Sequence, residues 1–231
     1  MIGSLQLLYP IQLKLSIVFA SALNMAATSN TKPKRKMSDD NSDGLPPKKP
    51  IQYWNQGLLS SIDDPELRVD ADDKVVIIRD KYPKAKFHFL VMPKVNIPNL
   101  KSLKSEHLVL LKHMETKGKE IAQRFDSRRQ FRFGYHAVPS MSHLHMHIIS
   151  QDFDSPSLKT KKHWNSFTTE YFHDSEDIIS ILEKNGRVEL DTKKYQELLK
   201  KPLRCHVCLK DLPNMPNLKQ HIKLHDYSDK K

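Results

Sequence analysis

Hydrophobic residues in the middle of the chain follow the two periodicities that distinguish strands from helices. Apolar residues recur at three- and four-residue steps from Leu100 to Phe125, which predicts an amphipathic helix of about 25 residues. Short runs rich in β-branched and aromatic residues predict four strands, at positions 74–79, 86–92, 131–138 and 143–150. The order β-β-α-β-β indicates an α+β fold with an antiparallel sheet and one long helix.

Hydrophobic periodicity is weaker before residue 74 and after residue 150. After residue 150 it predicts only two short helices, near 178–183 and 195–199. Residues 28–50 have no apolar period and are rich in Pro, Ser, Asp and Lys, so we expect disorder. The short apolar run within residues 1–27 is compatible with a dispensable or untranslated leader, an organelle-targeting leader or a secretory signal. We therefore predict three parts: a disordered leader and basic tail at 1–50, a catalytic domain at 51–200 and a small module at 201–231.

Composition narrows the class of protein. The 231 residues carry 38 Lys and Arg against 27 Asp and Glu, a net charge of +11 that favours an acidic partner such as nucleic acid. A mean hydropathy of −0.60 argues against a multispanning membrane protein, so no membrane partner is expected. Basic clusters at 32–36 and 46–49 are of the type that nuclear import receptors bind, which predicts a nuclear location.

The two cysteines belong to a metal-binding pattern. Cys205 and Cys208 are too close together to form a disulfide framework, which excludes a disulfide-stapled secreted protein. With His221 and His225 they match the spacing of a C2H2 finger, in which two thiolates and two imidazoles bind zinc tetrahedrally. A unit of about 30 residues has too little core to fold without its metal. The sequence therefore predicts a ββα finger with structural zinc.

The helix of such a finger carries the side chains that contact DNA. Fingers of this type present helix positions −1, 3 and 6 to bases, which here would be Asn214, Asn217 and Gln220. Lys219 suits a phosphate contact. One finger reads only about three base pairs, so we expect non-specific affinity for DNA or RNA. A finger that binds protein is the alternative.

Three histidines alternate with apolar residues in the strand predicted at 143–150. In a regular strand His143, His145 and His147 would share one face, with the outer two about 13 Å apart and too distant to bind one metal ion. A neutral imidazole can instead attack phosphorus while its neighbours fix its tautomer and protonate the leaving oxygen. Surface polar residues and a metal site are the alternatives, but only phosphorus chemistry, with no catalytic metal, uses all three.

This motif resembles that of the histidine-triad superfamily of nucleotide hydrolases and transferases. The resemblance implies that His145 is the nucleophile, that His147 hydrogen-bonds the transferred phosphate or the leaving group, and that His143 supports the nucleophile. By the same resemblance Asp80 would hold ribose hydroxyls and Ser140 would bind phosphate. Each of these two is, taken alone, an ordinary turn or loop residue.

Residues 52–227 resemble more specifically the branch of this superfamily that ends in a C2H2 finger and removes AMP from adenylated 5′ DNA ends left by abortive ligation. The longest matching runs are 134–143, 150–156 and 161–167. The resemblance implies a monomer that acts on nicked or broken DNA and on RNA–DNA junctions, with AMP as a product. It also implies roles for further residues: the leaving 5′-phosphate for His136 and Ser142, the DNA backbone for Lys162, the terminal base pair for Trp54, and the active-site floor for Asp152 and Trp164.

One departure and two alternative functions remain. Vertebrate members of this branch begin with a forkhead-associated domain, and residues 1–50 are too short and too polar to form one, so recruitment by phosphorylated scaffolds is not expected. The alternatives are a general histidine-triad hydrolase of phosphoramidates, dinucleoside polyphosphates or RNA caps, and a single-finger DNA-binding protein with inert histidines. We also expect Cys208→Ser to unfold the finger and to weaken DNA binding more than it slows hydrolysis of a small adenylate, as for a separate finger; equal loss of both activities would show that the finger is integral to the catalytic fold.

Overall fold

A six-stranded antiparallel sheet lies at the centre of the computed structural model, which describes residues 58, 61 and 64–228. Strand β5 (Met146–Ser150) is inserted between β3 (His88–Pro93) and β4 (Phe131–His136), so the segment that precedes β5 lies at the middle of the sheet. This arrangement confirms the predicted α+β fold. In spatial order the strands are β1 (Arg68–Ala71), β2 (Val75–Arg79), β3 (His88–Pro93), β5 (Met146–Ser150), β4 (Phe131–His136) and β6 (Phe172–Asp174).

One face of the sheet is covered by two helices, α1 (Leu108–Asp126) and α3 (Ser175–Asn185). They bury their apolar sides against alternate residues of the central strands in the largest hydrophobic cluster. The long helix is shorter than predicted because Lys104 has an extended backbone, with φ −135°. The leucines that precede it lie in a separate 3-10 turn, Leu100–Ser102. A three-residue spacing of leucines fits either type of helix, so periodicity alone misplaced the start.

The opposite face of the sheet, which we name the catalytic face, carries the histidines. Val76, Ile78, Leu90 and Met92 form an apolar cluster there with Leu58. His88 and His147 belong to the same face because side chains alternate along β3 and β5.

Three elements were not predicted from the sequence: β1, α2 (Lys161–Thr168) and β6. Each has eight residues or fewer, and two of them have only three or four, which is too short for a hydrophobic period to be recognised. A further short helix, α4 (Thr192–Leu198), lies near one that was predicted.

The strand predicted at 143–150 was wrong at its start. It begins at Met146, because His143 has a φ of +84° that a strand cannot contain. The backbone N–H of His143 donates to the carbonyl of Pro98, and that of Leu144 donates to Ile97. The three histidines therefore do not follow one another along one face of a strand.

The C-terminal residues form the predicted ββα unit, with β7 (Leu203–Arg204), β8 (Asp211–Leu212) and α5 (Met215–Ile222). Its buried residues Leu218 and Ile222 pack in one cluster with Phe153, Trp164 and Phe167 of the larger domain. The backbone N–H of Gln130 donates to the carbonyl of Tyr227, and Arg129 pairs with Ser228 in a β-bridge. The finger thus shares a hydrophobic core with the sheet domain.

The remaining predictions concern membrane spans and the N-terminal residues. Within the described residues no helix is both long enough and apolar enough to span a bilayer. Trp54 and the two basic clusters lie outside the described residues, as does the leader.

Candidate active site

Four imidazoles converge on the catalytic face. His136 ends β4, His147 lies in β5 and His88 lies in β3, while His145 directly precedes β5. The ring centroid of His147 is 4.5 Å from that of His136, 5.0 Å from His145 and 5.1 Å from His88. The cluster therefore runs across three neighbouring strands. Sequence analysis did not identify His88. Its position two residues before Leu90 in a predicted strand places its side chain on the same face of the sheet as that of Leu90.

The tautomer of His145 follows from its contact with His143. Nδ1 of His145 is 2.8 Å from the backbone carbonyl of His143 and, facing an acceptor, must carry the proton. Nε2 of His145 then keeps its lone pair, as a nucleophile requires. The side chain of His143 is anchored separately, with Nε2 donating to the carbonyl of Pro93 at 2.7 Å. His143 thus supports His145 with its backbone, through the left-handed conformation that directs its carbonyl.

A second chain of hydrogen bonds fixes the proton on His147. The backbone N–H of Lys84 donates to Nδ1 of His88 at 3.1 Å, so Nε2 of His88 carries the proton and donates to Nδ1 of His147 at 2.9 Å. Nε2 of His147 is therefore an N–H donor, and it is buried without a partner. A buried N–H left unpaired costs free energy, and a phosphate oxygen would satisfy it.

Asp80 lies beside this chain. Its Oδ2 is 3.5 Å from Nδ1 of His88, and its Oδ1 accepts from the backbone N–H of Tyr82 at 2.7 Å. Asp80, His88 and His147 bring donor atoms within 4.8 Å of one another, a spacing that a metal ion could also use. Both ring nitrogens of His88 already take part in hydrogen bonds, so we assign His88 and His147 to a hydrogen-bonded chain that starts at the backbone of Lys84.

Burial keeps the clustered imidazoles neutral. It lowers the pKa of His88 to about 4, against the partly compensating charge of Asp80. Burial, together with the neighbouring histidines and Lys84, holds the pKa of His136 and of His147 well below the ordinary value. Burial also lowers the pKa of His145. At neutral pH the imidazole of His145 is thus unprotonated, which is the form that can act as a nucleophile.

The floor of the site is Phe167, not Trp164 or Asp152. The ring of Phe167 lies 4.6 Å from that of His136 and 5.2 Å from that of His147, centroid to centroid. Trp164 contacts Phe153 and His206 instead, and its Nε1 donates to the carbonyl of Arg204 in the finger. Asp152 accepts from the backbone of Lys86 and from the guanidinium of Arg129. Trp164 therefore joins the sheet domain to the finger, and Asp152 links Lys86 to Arg129 within the sheet domain.

The candidate phosphate-binding serines lie in the loop between β4 and β5. Ser140 and Ser142 are exposed, and both line a groove of about 300 Å³. Pro139 lines this groove and also the small cavity beside His136, His143 and His145. The two serines therefore lie in a groove that adjoins the cavity beside His143 and His145.

The four predicted metal ligands meet at one point. Sγ of Cys208 is 3.1 Å from Nε2 of His221, Sγ of Cys205 is 3.2 Å from Nε2 of His225, and the two Nε2 atoms are 3.2 Å apart. Ideal tetrahedral zinc would separate these ligand atoms by about 3.4–3.6 Å. The donor set and its spacing therefore fit a zinc ion.

Two of the side chains predicted to contact DNA already make hydrogen bonds within the protein. Asn217 and Lys162 are exposed. The side chain of Asn214 caps α5 by accepting from the backbone N–H of Asn217 at 2.9 Å. Nζ of Lys219 donates to the carbonyl of Ser155 at 2.8 Å, which ties the finger helix to the larger domain.

Two family models cover most of the described chain. Residues 54–163 match the model described as "Scavenger mRNA decapping enzyme C-term binding". Residues 168–226 match the model described as "C2HE / C2H2 / C2HC zinc-binding finger".

The chain is also similar to curated relatives and to a solved structure. Aprataxin of Danio rerio is 54% identical over 175 residues, covering 75% of this chain and 54% of that protein. The chain therefore spans about half the length of this vertebrate relative. An aprataxin-like protein of Saccharomyces cerevisiae is 32% identical over 212 residues, covering 74% of this chain and 95% of that protein. The crystal structure of the aprataxin ortholog Hnt3 in complex with DNA is similar with a TM-score of 0.57 and 25% identity, over 75% of this chain and 92% of that one.

Proposed function

The chain belongs to the aprataxin family, and from this we propose that it is a DNA-repair hydrolase that removes AMP from adenylated 5′ ends of DNA. The observation that carries the proposal is the pair of complementary nitrogens, an unprotonated Nε2 on His145 and an unpaired N–H on His147. One can attack phosphorus, and the other can bind an oxygen of the same phosphate.

In the first step Nε2 of His145 forms a bond to the phosphorus of AMP. The bond between that phosphorus and the bridging oxygen breaks, and the electron pair leaves with the 5′-phosphate of the DNA. The imidazole becomes positively charged on attack, and the carbonyl of His143 stabilises that charge through the Nδ1 proton. The N–H of His147 binds the oxygen on which negative charge develops.

In the second step water attacks the same phosphorus, the bond between phosphorus and Nε2 breaks with its electron pair returning to His145, and AMP leaves together with one proton from the water, which restores neutral His145. Asp80 would hold the ribose hydroxyls of the adenosine during both steps. Ser140, Ser142 and His136 would bind the phosphate that leaves with the DNA. His136 suits this role because its Nε2 is buried without a partner beside His147.

The finger would bind a structural zinc ion through Cys205, Cys208, His221 and His225, and it would add contacts to DNA. Asn217 and Lys162, both exposed, would contact the DNA backbone. The proposed substrate is nicked or broken DNA, including RNA–DNA junctions, and the clustered histidines supply the chemistry without a catalytic metal. We further propose that the protein acts as a monomer in the nucleus.

A second candidate is a hydrolase of RNA caps, which the match to a decapping-enzyme model favours. The two are separated by measuring kcat/KM on three substrates: adenylated nicked DNA, an AMP–lysine phosphoramidate and a cap dinucleotide. We expect adenylated DNA to be the best of the three, because only it engages the finger and the surface lysines. A cap dinucleotide cleaved faster than adenylated DNA would support the second candidate and contradict the first.

A further inference from the structure

One exposed aromatic ring lies beside the histidine cluster. Tyr82 is 63% exposed, and among residues 64–228 no other Phe, Trp or Tyr is as exposed. Its hydrophobic ring gains free energy when a partner removes it from water. The residue lies in the turn between β2 and β3, two positions after Asp80.

The backbone of this turn is fixed on both sides of Tyr82. The carboxylate of Asp80 accepts from the N–H of Tyr82, and the ammonium of Lys84 donates to its carbonyl. The hydroxyl of Ser155 donates to the carbonyl of Pro83 at 2.5 Å. The N–H of Lys84 donates to His88, so the turn is also tied to the catalytic chain. A ring carried on a fixed backbone loses little entropy when it binds.

Lysine side chains lie on both sides of Tyr82 in this turn, with Lys81 before it and Lys84 after it. Lys81 is exposed. The pKa of His163 is lowered by burial and by the charges of Lys84, Lys162 and Lys159, which places these three ammonium groups around one side chain. An aromatic residue among lysines is the usual arrangement of a surface that binds a nucleic-acid strand, where bases stack and cations hold phosphates.

The finger is linked through Ser155 to the turn that carries Tyr82. Ser155 donates to Pro83 in the turn, and its carbonyl accepts from Lys219 of α5 at 2.8 Å. Lys223 of the finger lies 3.9 Å from Asp154, so one carboxylate offsets part of the charge there. The turn that carries Tyr82 and the helix of the finger are thus joined through a single residue.

We propose that Tyr82 stacks on a nucleobase of the DNA strand and holds the adenylated end over the histidines. This inference rests on the proposed function and specifies how that site binds its substrate. The link through Ser155 to the finger favours a base of the DNA over the adenine of AMP as the stacking partner. Tyr82 is a positioning residue for DNA, and it takes no part in the reaction at phosphorus.

The test uses the full chain with four variants. Tyr82→Leu removes the ring, Tyr82→Phe keeps it, and Val109→Ala changes a 72% exposed residue of α1, which packs on the other face of the sheet. His145→Asn blocks turnover, so it is combined with each of the others for binding measurements. The DNA carries 2-aminopurine at the base next to the adenylated 5′ end, because stacking on an aromatic ring quenches its fluorescence.

We expect Tyr82→Leu to raise KM for adenylated DNA about tenfold, the size of one lost stacking contact, with little change in kcat. KM for AMP–lysine should stay at the wild-type value. Fluorescence of the bound DNA should increase in Tyr82→Leu, while Tyr82→Phe and Val109→Ala should behave as wild type. Retention of the ring in Tyr82→Phe separates loss of stacking from misfolding of the turn.

Two results would overturn the inference. If Tyr82→Leu binds and quenches the labelled DNA as wild type does, no base stacks on the ring. If KM for AMP–lysine rises as much as KM for DNA, the ring belongs instead to the adenine of AMP. Failure of the wild-type protein to release AMP from adenylated DNA would refute the proposed function, and the fluorescence of the His145→Asn pair would still decide the role of Tyr82.

Discussion

At the scale of single residues, the site depends on which nitrogen of each imidazole carries a proton. The carbonyl of His143 fixes one tautomer on His145, and the backbone of Lys84 fixes the other on His147 through His88. Sequence spacing identified His143, His145 and His147, because a run of alternating histidines is uncommon in a core. It did not identify the contact of His88 with His147, which depends on strand register, or the carbonyl of His143, whose direction depends on a left-handed φ.

The low pKa of His88 predicts that acid destabilises the fold. The folded protein keeps His88 neutral down to about pH 4, whereas the unfolded chain binds a proton near the ordinary value of 6.5. The free energy of unfolding should therefore be independent of this group above about pH 7 and should fall as pH decreases from 6.5 towards 4.

We expect this group to remove about 2 kcal/mol of stability between pH 7.5 and pH 5.0. The measurement is urea denaturation of wild type and His88→Gln at both pH values. The variant should be less stable at pH 7.5, but its loss on acidification should be smaller by about that amount. An equal loss in both proteins would show that His88 is already protonated in the folded state.

At the scale of elements, the catalytic face requires close contact between β4 and β6. A Cβ atom on Gly134 would lie 2.1 Å from the backbone carbonyl oxygen of His173, so no larger residue fits without separating the strands. Gly134 also pairs directly with His147 and lies two residues before His136. Sequence periodicity predicted β4 itself, but β6 has only three residues and its contact could not be anticipated.

Gly134→Ala should therefore destabilise the protein by about 2 kcal/mol or more and reduce activity by displacing His136. Gly118→Ala in α1 is the matched control, since the nearest atom there is the flexible end of Met146 and alanine favours a helix. Urea denaturation of both variants is the measurement. Equal midpoints for Gly134→Ala and wild type would mean that the two strands separate without cost.

At the scale of the whole molecule, the finger and the sheet domain are packed together. His206, between the two cysteine ligands, hydrogen-bonds the carbonyl of Gln151 at 2.9 Å and contacts the rings of Phe153 and Trp164. The cysteine and histidine spacing predicted the zinc ligands because four ligands of one ion impose local constraints. It could not predict this packing, which depends on aromatic residues far apart in the sequence.

Cys208→Ser should accordingly lower the melting temperature of the whole protein and reduce turnover of AMP–lysine as well as of adenylated DNA. This differs from the expectation for a separate finger, because loss of zinc exposes a hydrophobic core that both parts share. Val207→Ser is the control, since this exposed neighbour is not a ligand. Two separate thermal transitions, with AMP–lysine turnover unchanged in Cys208→Ser, would establish an independent finger.

In the proposed reaction His145 receives AMP from DNA as a covalent adenylate. The most direct measurement incubates the protein with DNA whose 5′ AMP carries a radioactive phosphorus, stops the reaction in alkaline detergent and separates the protein. We predict label on the wild-type protein, with release of DNA bearing a 5′-phosphate, and no label on His145→Asn. Label that remains on His145→Asn, or AMP released by wild type without any labelled protein at early times, would contradict the account.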